Sequence, residues 1–229
     1  MRQIQKNPEP SELTEWKAQY RGDPNFGYDL MRGSPDVCDE VERSLLREQG
    51  NLDAYTEQRI WRDTSHVEHL KPQSRCTPLE EVDYRSNLVA CYPEPNHGAR
   101  LPYGAHEKDN WPGAEEEYLF VSPLDENCEH RFTYTLSGDI EPSNEDDQAA
   151  SETINQLKLD CLELRRYRRG AIDGVLGEDN SLSYRDARVR LRNLEGEDGS
   201  ERTPFCTTVK QALEKHIQRL EYIKQSNQG

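Results

Sequence analysis

The chain has 229 residues, 33% of them hydrophobic and 32% charged, and its 29 basic and 44 acidic side chains leave a formal net charge of −15. Globular chains usually carry about 25% charged residues, so the core is lean, and the acidic balance excludes unassisted long-range attraction to nucleic acid. No apolar run approaches the ~18 residues of a membrane span, no signal-peptide pattern follows Met1, and the six cysteines are scattered without a CxxC pair. The expectation is a reduced, cytoplasmic protein that does not enter a membrane.

Along the chain, the first 33 residues are polar and broken by Pro8, Pro10 and Pro24, with one short helix predicted from Ser11 on Leu13, Trp16 and Tyr20. Ser34-Pro35 opens a second helix, Val37, Val41 and Leu45 give it an apolar face, and Gly50 ends it. Residues 52–61 alternate weakly and 66–72 form a short extended stretch, which together read as two short strands around Asp63-Thr64-Ser65. Residues 83–91 read as a helix, and a loop rich in Pro, Gly and Asn follows over 92–104. A second strand pair is expected at 118–122 and 131–136, closed by Ser137-Gly138, and the acidic tract 141–147 with Pro142 reads as a linker. Ile154, Leu157, Cys161 and Leu164 mark one long helix that runs into Arg165-Arg166-Tyr167-Arg168-Arg169. A further helix carries Tyr184, Val189 and Leu191 with Arg185, Arg188, Arg190 and Arg192, and Val209, Leu213, Ile217, Leu220 and Ile223 make a closing amphipathic helix. There is no internal repeat.

Chemistry is densest between Asp53 and Trp111. His66 and His69 flank Glu68, His97 and His106 follow, and Asn87 lies between His69 and His106. Hydrolysis of a phosphodiester needs an imidazole to take a proton from water and N or O ligands that hold a divalent ion against the phosphate. The same residues also occur as ordinary surface polar groups, and Asn87-Leu88 alone says little. Four arginines within residues 165–169 are a solvated helix end, favoured by the dipole, or a phosphate-binding patch in which Tyr167 stacks on a base.

Taken in order, these segments resemble a known family. Glu68-His69-x-x-Pro72 (where x is any residue), Asn87-Leu88 and His106-x-Lys108 are similar to the three parts of the HNH nuclease motif. The wider pattern resembles the PtuB-like HNH proteins of Septu and retron anti-phage systems. It rests on Arg2-Gln-Ile-Gln-Lys6, Asp53-Ala-Tyr-Thr-Glu57, Val67-Glu-His-Leu-Lys-Pro72, Asn87-Leu-Val-Ala-Cys91 and Lys108-Asp-Asn-Trp111. The resemblance implies an α+β, mostly helical fold: a ββα-metal (HNH) core over 51–115, an N-terminal helical segment for partner docking over 1–50, and a small β-hairpin with added helices over 116–229.

By position it implies His69 as the general base, Glu68 and His106 as metal ligands, Asn87 as the residue that orients His69 and its loop, and Lys71 and Lys108 as phosphate contacts. Arg165, Arg166, Arg168 and Arg169 join the nucleic-acid-binding set. The implied cofactor is Mg²⁺ or Mn²⁺. The family's structural zinc knuckle is not expected, because Asp53 and Thr56 stand where its first cysteine pair would be, and only Cys91 remains of the second. Packing around Tyr55, Trp61 and Trp111 is expected in its place.

The implied partners are a PtuA-like ATPase subunit, a retron reverse transcriptase with its DNA–RNA product, and a nucleic-acid substrate, either DNA or RNA such as tRNA. A non-catalytic adaptor that keeps a degenerate HNH fold for assembly is the competing reading, and a free toxin-like domain without a partner is the third.

Overall fold

The computed structural model describes residues 1–92, 100–177, 179–195 (of Glu195 the backbone alone) and 201–227; His97 and most of the loop expected over 92–104 lie outside them. The fold is α+β, about half helical, with two small antiparallel strand pairs. Among the described residues no helix is long and apolar enough to cross a membrane.

Two N-terminal helices follow the predicted pattern. Helix α1 (Ser11–Tyr20) buries Leu13 and Trp16. After the short α2 (Tyr28–Arg32), α3 (Pro35–Gln49) starts with proline in its first turn and ends on Gly50 at φ +64°, the left-handed conformation that glycine adopts without penalty. Val41 and Leu45 are fully buried on its inner face. Its last residue, Gln49, is buried and pairs with the backbone of Ala90 through both ends of its amide, at 2.8 and 2.7 Å. One side chain thereby does for the next sheet what a further strand would do.

That sheet is β1 (His66–His69) paired antiparallel with β2 (Leu88–Cys91), in the register His66–Cys91, Val67–Ala90, Glu68–Val89 and His69–Leu88. It departs from both sequence expectations here. Residues 52–61 contribute one isolated bridge, Leu52 to Arg59, and 88–91 are a strand rather than a helix. Leu88-Val-Ala-Cys91 is buried at every position, and a four-residue apolar run of this kind is a strand buried on both faces as readily as a helix turn. Between the strands, α4 (Pro78–Glu81) is set by a capping box in which Thr77 and Glu80 bond each other's backbone N–H. A single-turn helix, α5 (Ala105–Lys108), comes after β2.

The second hairpin also has a different partner from the one expected. Strand β3 (Phe132–Tyr134) pairs with β4 (Ile140–Pro142) across the Ser137-Gly138 turn, while 117–119 form a 3-10 turn. The acidic tract is therefore no linker: Pro142 ends an edge strand, where its missing N–H does no harm, and Asp147 caps α6 (Gln148–Gln156) by accepting from the Ala150 N–H at 2.9 Å.

The predicted long helix over 154–169 is broken in two, α6 and α7 (Leu162–Leu176). Leu157 and Leu159 are both buried, at 0% and 1% exposed, and residues two apart on a helix point about 200° apart, so a helix buried along one face would leave one of them in solvent. The chain turns instead at Lys158, φ +50°. The Leu159 N–H bonds the Ile154 carbonyl at 3.0 Å and the Lys158 N–H the Asn155 carbonyl at 3.4 Å. This is a Schellman ending with lysine where glycine is usual, which is why the sequence hides it. Helices α8 (Tyr184–Glu195) and α9 (Cys206–Ser226) close the fold.

Apolar packing forms three clusters. One joins Tyr55, Val89 and Tyr103 to Phe132, Ile154 and Leu164; the second holds α1 and α3 against Tyr84 and Leu88; the third packs Ile172 and Leu176 of α7 with Ala187, Leu213 and Ile217.

Candidate active site

Successive side chains of a strand point to opposite faces, so β1 sends His66 and Glu68 one way and Val67 and His69 the other. At the end of the strand, Glu68 and His69 both reach one open cleft, rimmed also by Tyr28, Gln73, Ser74 and Asn110.

His69 is 7% exposed. Its Nε2 lies 2.9 Å from the Glu81 carbonyl, and a carbonyl only accepts, so the neutral ring carries its proton on Nε2 and leaves Nδ1 as the base. The edge of the ring meets Tyr28, centroids 4.6 Å apart and planes at 89°. Burial pushes the His69 pKa down, against the upward pull of the Glu81 carbonyl and the Glu68 charge. A neutral imidazole is thus the resting form at neutral pH.

Asn87 is buried and fully engaged. Its Oδ1 accepts from the Lys71 N–H at 2.8 Å, its Nδ2 donates to the Glu80 carbonyl at 2.9 Å and to Cys76 Sγ at 3.3 Å, and its own carbonyl accepts from the Leu70 N–H. One side chain therefore ties both ends of the 70–81 loop together. That loop carries the Glu81 carbonyl on which His69 rests.

On the other face, Glu68 Oε1 lies 2.9 Å from Lys108 Nζ, and Tyr55 donates to the same oxygen at 3.4 Å. Lys108 is 1% exposed and also donates to the His69 carbonyl at 2.8 Å. It is an internal cation of the site, turned away from solvent. The rings of His66 and His106 stack at 6.4 Å, and His66 Nε2 stands 3.9 Å from Glu68 Oε2. His106 Nδ1 accepts from the Leu101 N–H at 2.9 Å; burial first, and the neighbouring His66 second, lower its pKa.

The donors available for a divalent ion are thus one carboxylate and two imidazoles, and the Nδ1 of His66 is buried without a partner. Their chemistry suits a borderline ion, but their arrangement does not. The Glu68 carboxylate is matched to Lys108, and among the described residues no three His, Cys, Asp or Glu side chains stand close enough together to hold an ion.

The remaining predicted contacts divide by burial. Lys71 reaches Glu80 at 2.6 Å at the surface. Arg168 is 2% exposed and bonds the Gly138 carbonyl at 2.9 Å and the Leu159 carbonyl, so it is spent inside the fold. Arg165 pairs with Asp139 and Asp160, and Arg169 with Asp173. Arg166 is exposed. Sequence reasoning named His66 without giving it a role, and left out Tyr28 and the Glu81 carbonyl. His66 was within reach of it, since a strand puts i and i+2 on one face; Tyr28 and Glu81 arrive by tertiary contact and leave no local signal.

Asp53, where the resemblance puts a knuckle cysteine, gathers four hydrogen bonds. Its Oδ1 accepts from the Tyr55 N–H, the Thr56 N–H and the Thr56 hydroxyl at 3.0, 2.7 and 2.8 Å, and its Oδ2 from the Tyr92 N–H at 2.8 Å. Tyr55 and Trp111 both pack edge-on against Phe120. Trp61 does not: it is 50% exposed, with Arg59 over its ring.

No family model matches the chain. It is 27% identical over 134 residues to a protein of Vibrio cholerae serotype O1 biovar El Tor named "Retron Vc95 putative HNH endonuclease"; the match takes in 56% of this chain and spans 61% of that relative's length. The chain is a distant relative of a protein that bears the name of a retron HNH endonuclease.

Proposed function

We propose that the protein is an HNH endonuclease that hydrolyses phosphodiester bonds of DNA, or of RNA such as tRNA, as the toxic effector of a bacterial anti-phage complex of the PtuB-like type. The observation that carries this reading is the His69 arrangement: Nε2 is fixed on the Glu81 carbonyl, Nδ1 is left as acceptor, and burial keeps the ring neutral. Such a group takes a proton from water as it attacks phosphorus, the task a general base has in hydrolysis. Asn87 holds the loop that aims it. The name of the Vibrio relative supports the same chemistry and the retron setting.

On this reading the cofactor is Mg²⁺ or Mn²⁺, and the partners are a PtuA-like ATPase with, in a retron setting, the reverse transcriptase and its DNA–RNA product. A partner that contributes basic surface suits a chain of net charge −15. One observation favours the adaptor reading instead: Lys108 already neutralises the carboxylate that a metal would need.

The two separate in one assay. Plasmid DNA and total RNA are incubated with Mg²⁺ or Mn²⁺ and wild-type protein or His69→Ala, each alone and with its co-purifying neighbours. Cleavage by wild type that is lost in His69→Ala supports the nuclease, and the pool that is cut names the substrate. Inert wild type in the assembled complex, with defence unaffected by His69→Ala, gives the fold to an adaptor.

A further inference from the structure

The arginines that stand out in the sequence, 165–169, are mostly spent on the protein itself, and a second set on the next helix is not. Helix α8 begins on Ser183, whose hydroxyl accepts from the Asp186 N–H at 3.1 Å and donates to the Asp186 carboxylate at 2.7 Å. It packs Ala187, Leu191 and Leu194 against α7 and α9. At about 100° per residue, Arg185, Arg188 and Arg192 fall within roughly 60° of one another, on a face turned about 125° from those apolar residues.

All three are exposed, and among the described residues none has an ion pair or a hydrogen bond. The fourth arginine, Arg190, is different: it bonds the Val175 carbonyl at 2.7 Å and caps the end of α7. Val189, 45% exposed, lies about 40° beyond Arg185, at the edge of this row. Helix α8 has no lysine at all.

Among the described residues these three arginines share one helix face with no carboxylate partner, in a chain with 15 more acidic than basic side chains, and an external anion would complete them. Over seven residues the row is about 10 Å long at 1.5 Å per residue, which matches about three phosphates of one strand at ~3.4 Å rise each. The guanidinium fork suits phosphate oxygens bidentately. At physiological salt the screening length is about 8 Å, so a local patch of this kind outweighs the net charge of the distant surface once the backbone is near.

We propose that the exposed face of α8, through Arg185, Arg188 and Arg192, is the surface that grips the phosphate backbone of the substrate nucleic acid, a role that rests on the nuclease reading and moves the phosphate contacts from α7 to α8.

The test is fluorescence anisotropy on labelled duplex and single-stranded DNA and on RNA, in EDTA, across a salt series. The full-length Arg185→Gln/Arg188→Gln/Arg192→Gln variant is compared with wild type and with Arg165→Gln/Arg169→Gln. Glutamine keeps the helix, and circular dichroism checks that it has. The α8 variant should bind at least tenfold more weakly. Its slope of log affinity against log salt should be flatter by about 2–3, near 0.9 per lost contact on duplex and 0.7 on single strands. The α7 variant should bind nearly as wild type does.

Unchanged binding by the α8 variant overturns the proposal. So does a wild type that binds no nucleic acid, and if the same substitutions then release a co-purifying acidic protein, the surface belongs to that partner. Protein that cuts while ignoring the α8 substitutions refutes this proposal alone; protein that binds through α8 and never cuts refutes only the nuclease reading.

Discussion

Replacing Lys108 with methionine tests whether the site is held by its internal ion pair. Methionine keeps the length of the stem and removes the charge. At 2.9 Å and an effective dielectric near 20, the gross attraction is about 6 kcal/mol. Desolvation of both groups offsets much of that, and removing one member of a buried pair costs about 3–5 kcal/mol. The Glu68 side chain is 16% exposed and regains some water, so the lower end, about 3 kcal/mol, is expected. For a chain of this size that is a fall in Tm of roughly 6–12 °C, read by thermal and urea unfolding. Lys108→Met/Glu68→Gln removes both charges and should recover most of the loss, giving a favourable coupling in the double-mutant cycle. A single variant within about 1 kcal/mol of wild type, or an additive double, refutes the reasoning. Mn²⁺ titrations of the same proteins ask whether Lys108 stands in for a cation. Lys108→Met should gain a Mn²⁺-dependent rise in Tm larger than that of wild type, and an equal response in both shows that the ammonium obstructs nothing.

Other expectations follow from the same geometry. Asn87→Ala strands the Lys71 N–H and the Glu80 carbonyl; at about 1–3 kcal/mol for each buried unsatisfied group it should lower stability by about 2–4 kcal/mol, and cleavage should fall with it, which parallel unfolding and nuclease assays would show. The His69 pKa lies below its ordinary value, so its base form persists until the pH drops below about 6.5, and the acid limb of the cleavage rate should sit below that pH; a limb above it would mean that another group titrates. Gly138→Ala places a Cβ 2.2 Å from the Arg165 carbonyl at φ +91°, and should loosen the β3–β4 turn from α7 by more than 1 kcal/mol, measured as a lower urea midpoint.

Much of the helical frame was legible because its signals are local. Ser34-Pro35 and Gly50 bound α3, and apolar spacing marks α1, α8 and α9. What failed were pairings, which depend on residues far apart. His66–His69 has the same pattern whether its neighbour is 52–61 or 88–91, and the choice of β2 comes from burial of Leu88 and Val89 on both faces and from the Gln49 amide. The break at Lys158 was hidden because the left-handed position carries a lysine. At the site, the order Glu68-His69, Asn87, His106 was readable along the chain. The burial of Lys108 beside Glu68 was not, since a lysine after a histidine reads as a surface cation until packing encloses it.

The same distinction decides how to treat the absent cysteines. Four thiolates around a zinc would tie 53–56 to the chain after β2, and loss of those ligands suggests a loosened platform under the site. Asp53 makes the connection without metal, because its Oδ1 closes the 53–56 turn and its Oδ2 takes the Tyr92 N–H, next to Cys91. A charged acceptor adds about 1.5–3 kcal/mol per hydrogen bond, and these bonds share one carboxylate, so their sum is less than additive. Asp53→Ala should therefore lower stability by about 3–5 kcal/mol. Asp53→Asn keeps the three acceptor contacts of one oxygen but turns an amide N–H toward the Tyr92 N–H, and should lose less, about 1–3 kcal/mol. If Asp53→Ala unfolds at the wild-type urea midpoint, the turn stands without its carboxylate, and the hydrogen bonds of Asp53 support the site less than their geometry implies.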